Sequence, residues 1–138
     1  MTYCTQQNLI DRFAEDELIQ LTDRDNVGVI DTDVLDLAIS DASAEIDSYL
    51  AAYPLPLAII PVGLTRIACN IARFYLYDDN APEHIEKLYG NSIDYLKSVA
   101  QGKISLGVDS AGQQAVASEN AVMQSGGRVF SRDDNGFL

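Results

Sequence analysis

Thr32-Asp33-Val34-Leu35-Asp36-Leu37-Ala38-Ile39-Ser40-Asp41-Ala42-Ser43-Ala44-Glu45-Ile46-Asp47-Ser48-Tyr49-Leu50-Ala51-Ala52-Tyr53 is the stretch that decides the fold. Its apolar residues fall at Leu35, Ala38, Ile39, Ala42, Ile46, Tyr49, Leu50 and Tyr53, spaced by one, three or four positions. That is the period of a helix with one apolar face; a half-buried strand would alternate. Asp33, Asp36, Asp41, Glu45 and Asp47 lie mostly off the stripe. Thr32 is the expected cap, because a hydroxyl there can accept from the first free amides. Pro54 and Pro56 end the helix, since proline lacks the N–H and restricts the residue before it.

Downstream, Leu55, Leu57, Ile59 and Ile60 form an apolar connector closed by Pro61. A fourth helix is expected from Pro61–Gly63 to about Asp78. Leu64, Ile67, Ala68, Ile71, Ala72 and Tyr75 line one side, and Cys69, Phe74, Leu76 and Tyr77 widen the apolar surface. A helix apolar on most sides is central in a core or covered by a second subunit. Arg66 and Arg73 mark its polar strip. Pro82 suits the start of a fifth helix, about Pro82–Gln101, with Ile85, Leu88, Tyr89, Ile93, Leu96 and Val99 as its stripe. Gly90 is a candidate kink, and Gly102 ends the helix in the left-handed region.

Upstream, Thr5 caps a short helix over Gln6–Phe13. Glu15–Leu21 reads as a second, with three acids at the positive end of its dipole. Thr22–Asp31 is a polar, turn-rich loop. The expectation is an all-α bundle of about five helices, two short and N-terminal and three longer, occupying residues 1–107.

Beyond Gly107 the composition changes. Val108–Gly127 is rich in Ala, Ser, Gln and Gly, too poor in apolar residues to offset its ordering entropy, and reads as a flexible linker. Arg128, Val129, Phe130, Arg132 and Phe137 then restore charge and apolar bulk. Residues 108–138 are thus expected to be an extended or flexible docking arm whose partner-binding residues are those five.

The chain has 138 residues and a net charge of −12, with 47% apolar and 22% charged residues. Length and composition fit one globular domain. Residues 1–50 hold twelve acids against two bases, net −10. Such a balance opposes general binding to phosphate backbones, and it serves either solvation or a basic partner. No apolar run reaches the roughly 18 residues of a membrane span. Met1–Gln7 has no basic or apolar leader region, so no secretory signal is expected. Cys4 and Cys69 form no Cys-x-x-Cys and fit a reducing cytosol.

The loop Asp23–Val34 imitates a calcium loop. Asp23, Asp25, Gly28 and Asp31 occupy the right positions, but Val27 and Val34 stand where oxygen ligands are needed, the latter in place of the bidentate Glu. Asp23, Asp25 and Asp31 are therefore weak metal candidates, and turn and cap work is the plainer reading. A calcium-binding or other protein-interaction module using Asp23–Asp31 is the alternative function. His84 is the only histidine, so no His cluster can hold zinc. With no Gly-x-Ser-x-Gly elbow and no phosphate loop, it reads as an exposed imidazole in the first turn of the fifth helix. No catalytic set and no cofactor are expected.

Several ordered segments together resemble a Mu-like phage protein family encoded among head and tail morphogenesis genes. They are Tyr3-Cys4-Thr5-Gln6, Glu15-Asp16-Glu17-Leu18-Ile19-Gln20-Leu21-Thr22-Asp23, Asp41-Ala42-Ser43-Ala44-Glu45-Ile46-Asp47-Ser48-Tyr49-Leu50 and Tyr53-Pro54-Leu55-Pro56-Leu57. Ile67-Ala68-Cys69-Asn70-Ile71-Ala72-Arg73-Phe74-Tyr75-Leu76-Tyr77 forms the centre, and Arg128-Val129-Phe130-Ser131-Arg132-Asp133 the tail. The chain departs from the family pattern at Ala51-Ala52, where a basic residue is common, and in the added Pro54. The resemblance implies a small helical head–tail connector, a structural protein assembling as a homo-oligomeric ring beneath the portal. Its implied partners are copies of itself, the portal and neck or tail proteins. It implies no membrane and no sequence-specific nucleic acid, with DNA passing through the ring. The implied locations are the virion and, during assembly, the host bacterial cytoplasm.

Overall fold

Five helices carry the fold in a computed structural model that describes residues 1–107: α1 Gln6–Phe13, α2 Glu15–Thr22, α3 Thr32–Tyr49, α4 Val62–Tyr77 and α5 Glu83–Ala100. A 3-10 turn, Asp78–Asn80, links α4 to α5. No strand occurs among the described residues. The expected all-α class, with two short helices before three long ones, is the observed one. The expected arm, including Arg128, Val129, Phe130, Arg132 and Phe137, lies outside the described residues.

The apolar stripes explain the packing. Leu35, Ala38, Ile39, Ala42 and Ile46 of α3 are buried against Leu64, Ile67, Ala68, Ile71 and Ala72 of α4 in one continuous core. The α3–α4 seam is the most extensive contact, α5 packs on both helices, and α1 and α2 lie against α3 and α4. Small residues at Ala38, Ala42, Ala68 and Ala72 permit close helix approach while Leu and Ile fill the space between. Each fully buried Leu or Ile contributes about 1.5–3 kcal/mol.

Local signals set the helix ends. Thr5 and Asn8 make a reciprocal capping box at α1: the Asn8 amide donates to Thr5 Oγ1 at 3.1 Å and the Thr5 amide to Asn8 Oδ1 at 2.9 Å. Cys4 and Leu9 flank this box, both buried, at the two positions of a hydrophobic staple. Ala14, at φ 75°, breaks α1 from α2.

Two expected boundaries are corrected. Asp31, not Thr32, caps α3; its carboxylate accepts from the amides of Asp33 and Val34 at 3.0 and 3.3 Å, and Thr32 is the first helical residue. The helix stops at Tyr49, short of Pro54. The Leu50 amide bonds tightly back to Asp47 and the Tyr53 amide to Leu50, so the chain turns before the proline acts. Tyr53 leaves the stripe and its hydroxyl accepts from the Leu106 amide at 3.4 Å, tying the end of the core to the connector. Gly90 makes no break, since α5 runs through it as a helix. Gly102, at φ 77°, takes the left-handed conformation expected after α5.

Candidate functional site

The acidic first half divides by what its carboxylates touch. Glu17, in the first turn of α2, receives a two-pronged hydrogen bond from Arg73 of α4 at 2.7 and 2.9 Å. The same guanidinium lies 4.2 Å from the centre of the Phe13 ring, and the Tyr77 hydroxyl donates to Glu17 at 3.3 Å. The pair is mostly covered, so its charges are held by geometry and not by water. Arg73 thus belongs to the α2–α4 contact, while Arg66, seven residues back on the same strip, stays exposed.

Glu45 of α3 accepts from two phenols, Tyr75 of α4 and Tyr89 of α5, the latter at 3.1 Å. Phe74 stacks on Tyr89 with ring centres 4.1 Å apart and planes within 11°. Burial raises both phenols above the ordinary tyrosine range, and the neighbouring Glu45 carboxylate raises them further. Asp47 accepts from Tyr3, whose amide donates to Ser43 Oγ at 3.1 Å. Burial and then Asp47 push that phenol up as well. These three carboxylates therefore tie α2 to α4, and α3 to α4, α5 and the N-terminal segment.

Cys4 and Cys69 are free and buried. The neighbouring Cys69 thiol, and then burial, raise the Cys4 thiol well above the usual range. Cys69 fills the small-hydrophobe place expected of it. The placement of Tyr3 and Cys4 in the core was missed by sequence reasoning; the signal was an apolar pair directly before an N-cap.

The calcium-like loop is organised around backbone groups. Both oxygens of Asp23 turn inward, accepting from the amides of Val27 at 2.9 Å and Gly28 at 2.6 Å. Asp31 caps α3. Buried Thr22 donates to the Leu18 carbonyl and accepts from the Asp31 amide at 3.0 Å, so one hydroxyl clasps the end of α2 to the start of α3. Asp25 is exposed. Among the described residues no three His, Cys, Asp or Glu side chains gather closely enough to hold a metal. Asp23 thus makes a turn and Asp31 a cap, while Asp25 stands exposed. His84 lies exposed in the first turn of α5.

What faces outward is apolar as well as acidic. Val27 and Val29 of the loop, Leu37 of α3, and Leu55, Ile59 and Val62 around the connector are exposed. Leu88, expected on the inner stripe of α5, is 36% exposed at its margin; the inward positions are taken by Ile85, Ser92, Leu96 and Val99. Several clefts open on the surface among the described residues; a shallow one of about 310 Å³ lies beside Leu21, Arg24, Tyr77 and Asp78. Another, about 170 Å³, lies between α3 and the end of α4 beside Leu37, Asp41 and Asp78. A third, about 180 Å³, lies between α4 and α5 beside Arg66, Ile67, Leu88 and Tyr95. Among the described residues no helix is long and apolar enough to cross a membrane.

These features define a small, acidic, all-helical protein with its carboxylates divided between internal ties and an outer apolar-and-acidic surface. The chain belongs to the family described as Bacteriophage Mu, Gp36, which matches residues 3–125. It is similar to Gene product J of Escherichia phage Mu, 38% identical over 141 residues and 100% of both chains. It is also similar to Mu-like prophage FluMu protein gp36 of Haemophilus influenzae, 37% identical over 139 residues, covering 99% of this chain and 98% of the relative.

Proposed function

We propose that the chain is a structural component of a phage or prophage particle, a head–tail connector subunit of the neck that assembles as a ring beneath the portal. Membership of a Mu-like phage family along nearly the whole chain is the observation that carries this reading. The exposed Val29, Leu37, Ile59 and Val62 support it, because apolar side chains left outside a small core suit a protein–protein contact. The acidic surface supports it too, since like charge keeps DNA from adhering to a conduit it passes through. The reading includes no turnover. Its partners are further copies of the chain, the portal and the neighbouring neck or tail proteins. Its locations are the virion and, before completion, the host cytoplasm. Residues 108–138 serve as the docking arm, with Arg128, Val129, Phe130, Arg132 and Phe137 as anchors.

A nonsense mutation early in the gene of the parent phage tests the role. The expected result is DNA-filled heads and separate tails, with joining restored when the full chain is supplied. Tailed, infectious particles made without the chain would defeat the reading. Ending the chain after Gly107 tests the arm: the melting temperature should hold while joining is lost. Normal joining would show the arm to be dispensable, and an unfolded product would place it in the core.

A further inference from the structure

Leu37 is an apolar knob with an acid on either side along α3. It sits on the outer face of α3, 63% exposed, and one helical turn to either side stand Asp33 and Asp41, both exposed. Arg24, which shares its cleft, is paired with Asp78 at 3.5 Å. The α4–α5 cleft has the complementary character. Its apolar wall is Ile67, Leu88 and Tyr95, its amides are Asn70 and Asn91, and the single charge in its lining is Arg66. Its volume, about 180 Å³, suits one branched side chain. The remainder of the chain matches this polarity: residues 1–50 carry net −10, whereas residues 51–107 hold five acids and five bases.

The two surfaces cannot be the same patch. Tyr75 and Leu76 of α4 border the Leu37 cleft, and Arg66 and Ile67 border the α4–α5 cleft. Each pair is separated by nine residues, two and a half helical turns, which places the clefts on opposite sides of α4 about 13 Å apart along its axis. A contact joining one to the other is therefore head-to-tail. Repeated, it leaves a free knob at one end and a free cleft at the other until the chain of subunits closes.

We propose that Leu37 of one copy seats in the α4–α5 cleft of the next, with Asp33 and Asp41 flanking Arg66, and that this contact is the repeating interface between subunits. The inference deepens the ring reading above and rests on its self-association, though not on its place in the neck. Charge complementarity selects a second copy as the occupant: the same chain supplies both an acidic knob and a cleft whose lining carries one cation and no acid.

Both native cysteines are buried, so introduced surface thiols report position. Full-length Leu37→Cys and Leu88→Cys chains, told apart by a tag, are mixed under mild oxidation as purified protein. They are also co-expressed in cells infected with the parent phage, and the particles recovered. The expected product is the mixed disulfide, and the doubly substituted chain should give a ladder of multimers. Arg66→Glu should reduce the mixed product at least tenfold, and Asp33→Arg on the opposing chain should restore it. Circular dichroism keeps loss of folding apart from loss of contact. Disulfides joining Leu37→Cys chains to one another in preference would mean a two-fold contact and overturn the proposal, as would absence of the mixed product in both settings. A mixed product from a chain absent from particles would leave the interface standing and remove the neck assignment. A chain located at the neck with no mixed product would do the reverse.

Discussion

Glu17, Glu45 and Asp47 lie partly buried and answer to named partners; Asp33 and Asp41 stand in water a few residues away on the same half of the chain. The inner three are ties. Each joins its own helix to another segment through a phenol or a guanidinium, and only Glu17 has a cation. Glu45 and Asp47 are held by neutral hydroxyls, which satisfy oxygen lone pairs without burying a second charge. Asp33 and Asp41 make no such tie among the described residues and are free to set how the surface meets a neighbour, unlike exposed Asp36, which accepts from Gln6 of α1 at 2.7 Å. A net charge summed along the sequence cannot separate these two uses, because both appear as Asp or Glu at helical spacing.

The comparison breaks most violently where a carboxylate is placed in the core with no partner. Ile71 is fully buried on α4, and Ile71→Asp should leave no folded protein at 25 °C, a loss of more than about 4 kcal/mol. A cooperative thermal transition near that of the parent would show that the α3–α4 core is wrongly assigned. Next comes the orphaned inner acid. Arg73→Ala strands Glu17 in a mostly covered site and should lower stability by about 2–3 kcal/mol in urea unfolding. Glu17→Gln should cost less, because the amide can still accept from Arg73.

Smaller still is the effect of removing a phenol. Tyr75→Phe should cost about 1–2 kcal/mol, and Tyr89→Phe less, because the Tyr89 bonds to Glu45, at 3.1 and 3.2 Å, are longer than that of Tyr75. The phenols also predict an alkaline limit. Tyr3, Tyr75, Tyr77 and Tyr89 are all raised above the ordinary value of 10.0 in the folded protein. Their stabilisation is therefore complete below about pH 10 and is lost as pH rises toward the higher folded values. The melting temperature should hold to about pH 9 and fall beyond 10, less steeply in Tyr75→Phe. At the bottom of the scale, Asp33→Asn and Asp41→Asn should change the monomer by less than about 0.5 kcal/mol. Millimolar calcium should give no calorimetric heat, since Asp23 and Asp31 face backbone amides in different directions.

The helices were legible because α3, α4 and α5 each carry a long apolar stripe, and because Thr5 and Gly102 punctuate their neighbours in ways fixed by local chemistry. The end of α3 was not. It lies in two successive tight turns that the prolines do not announce, and Tyr53, which helical spacing put on the stripe, instead meets Leu106, 53 positions away. The same applies to the ties: Glu17 and Arg73 are 56 positions apart, and Glu45 and Tyr89 are 44 apart. Leu88 was misplaced for a subtler reason. It falls at helical spacing with Ile85 and Leu96, but the stripe on α5 is wider than the face it buries, and its margin opens into the α4–α5 cleft. Asp23 was read as a turn residue, and the amides it satisfies lie within five positions; the cap was placed on Thr32, one residue past Asp31, because either side chain can accept from the first free amides.

Tyr3 and Cys4, anchored on Ser43, Asp47 and Cys69, give the chain an order of completion during synthesis. Tyr3 meets its partners Ser43 and Asp47 once α3 is made, but Cys4 has no partner until Cys69 of α4 has followed. Sixty-five positions separate Cys4 from Cys69, which is roughly 3–13 s at about 5–20 residues per second. A brief protease pulse on nascent chains should therefore cut around Tyr3-Cys4 until α4 has emerged, and spare it afterwards. The Tyr3-Cys4 strip of the core thus closes only after residues some sixty-five positions further along have been made.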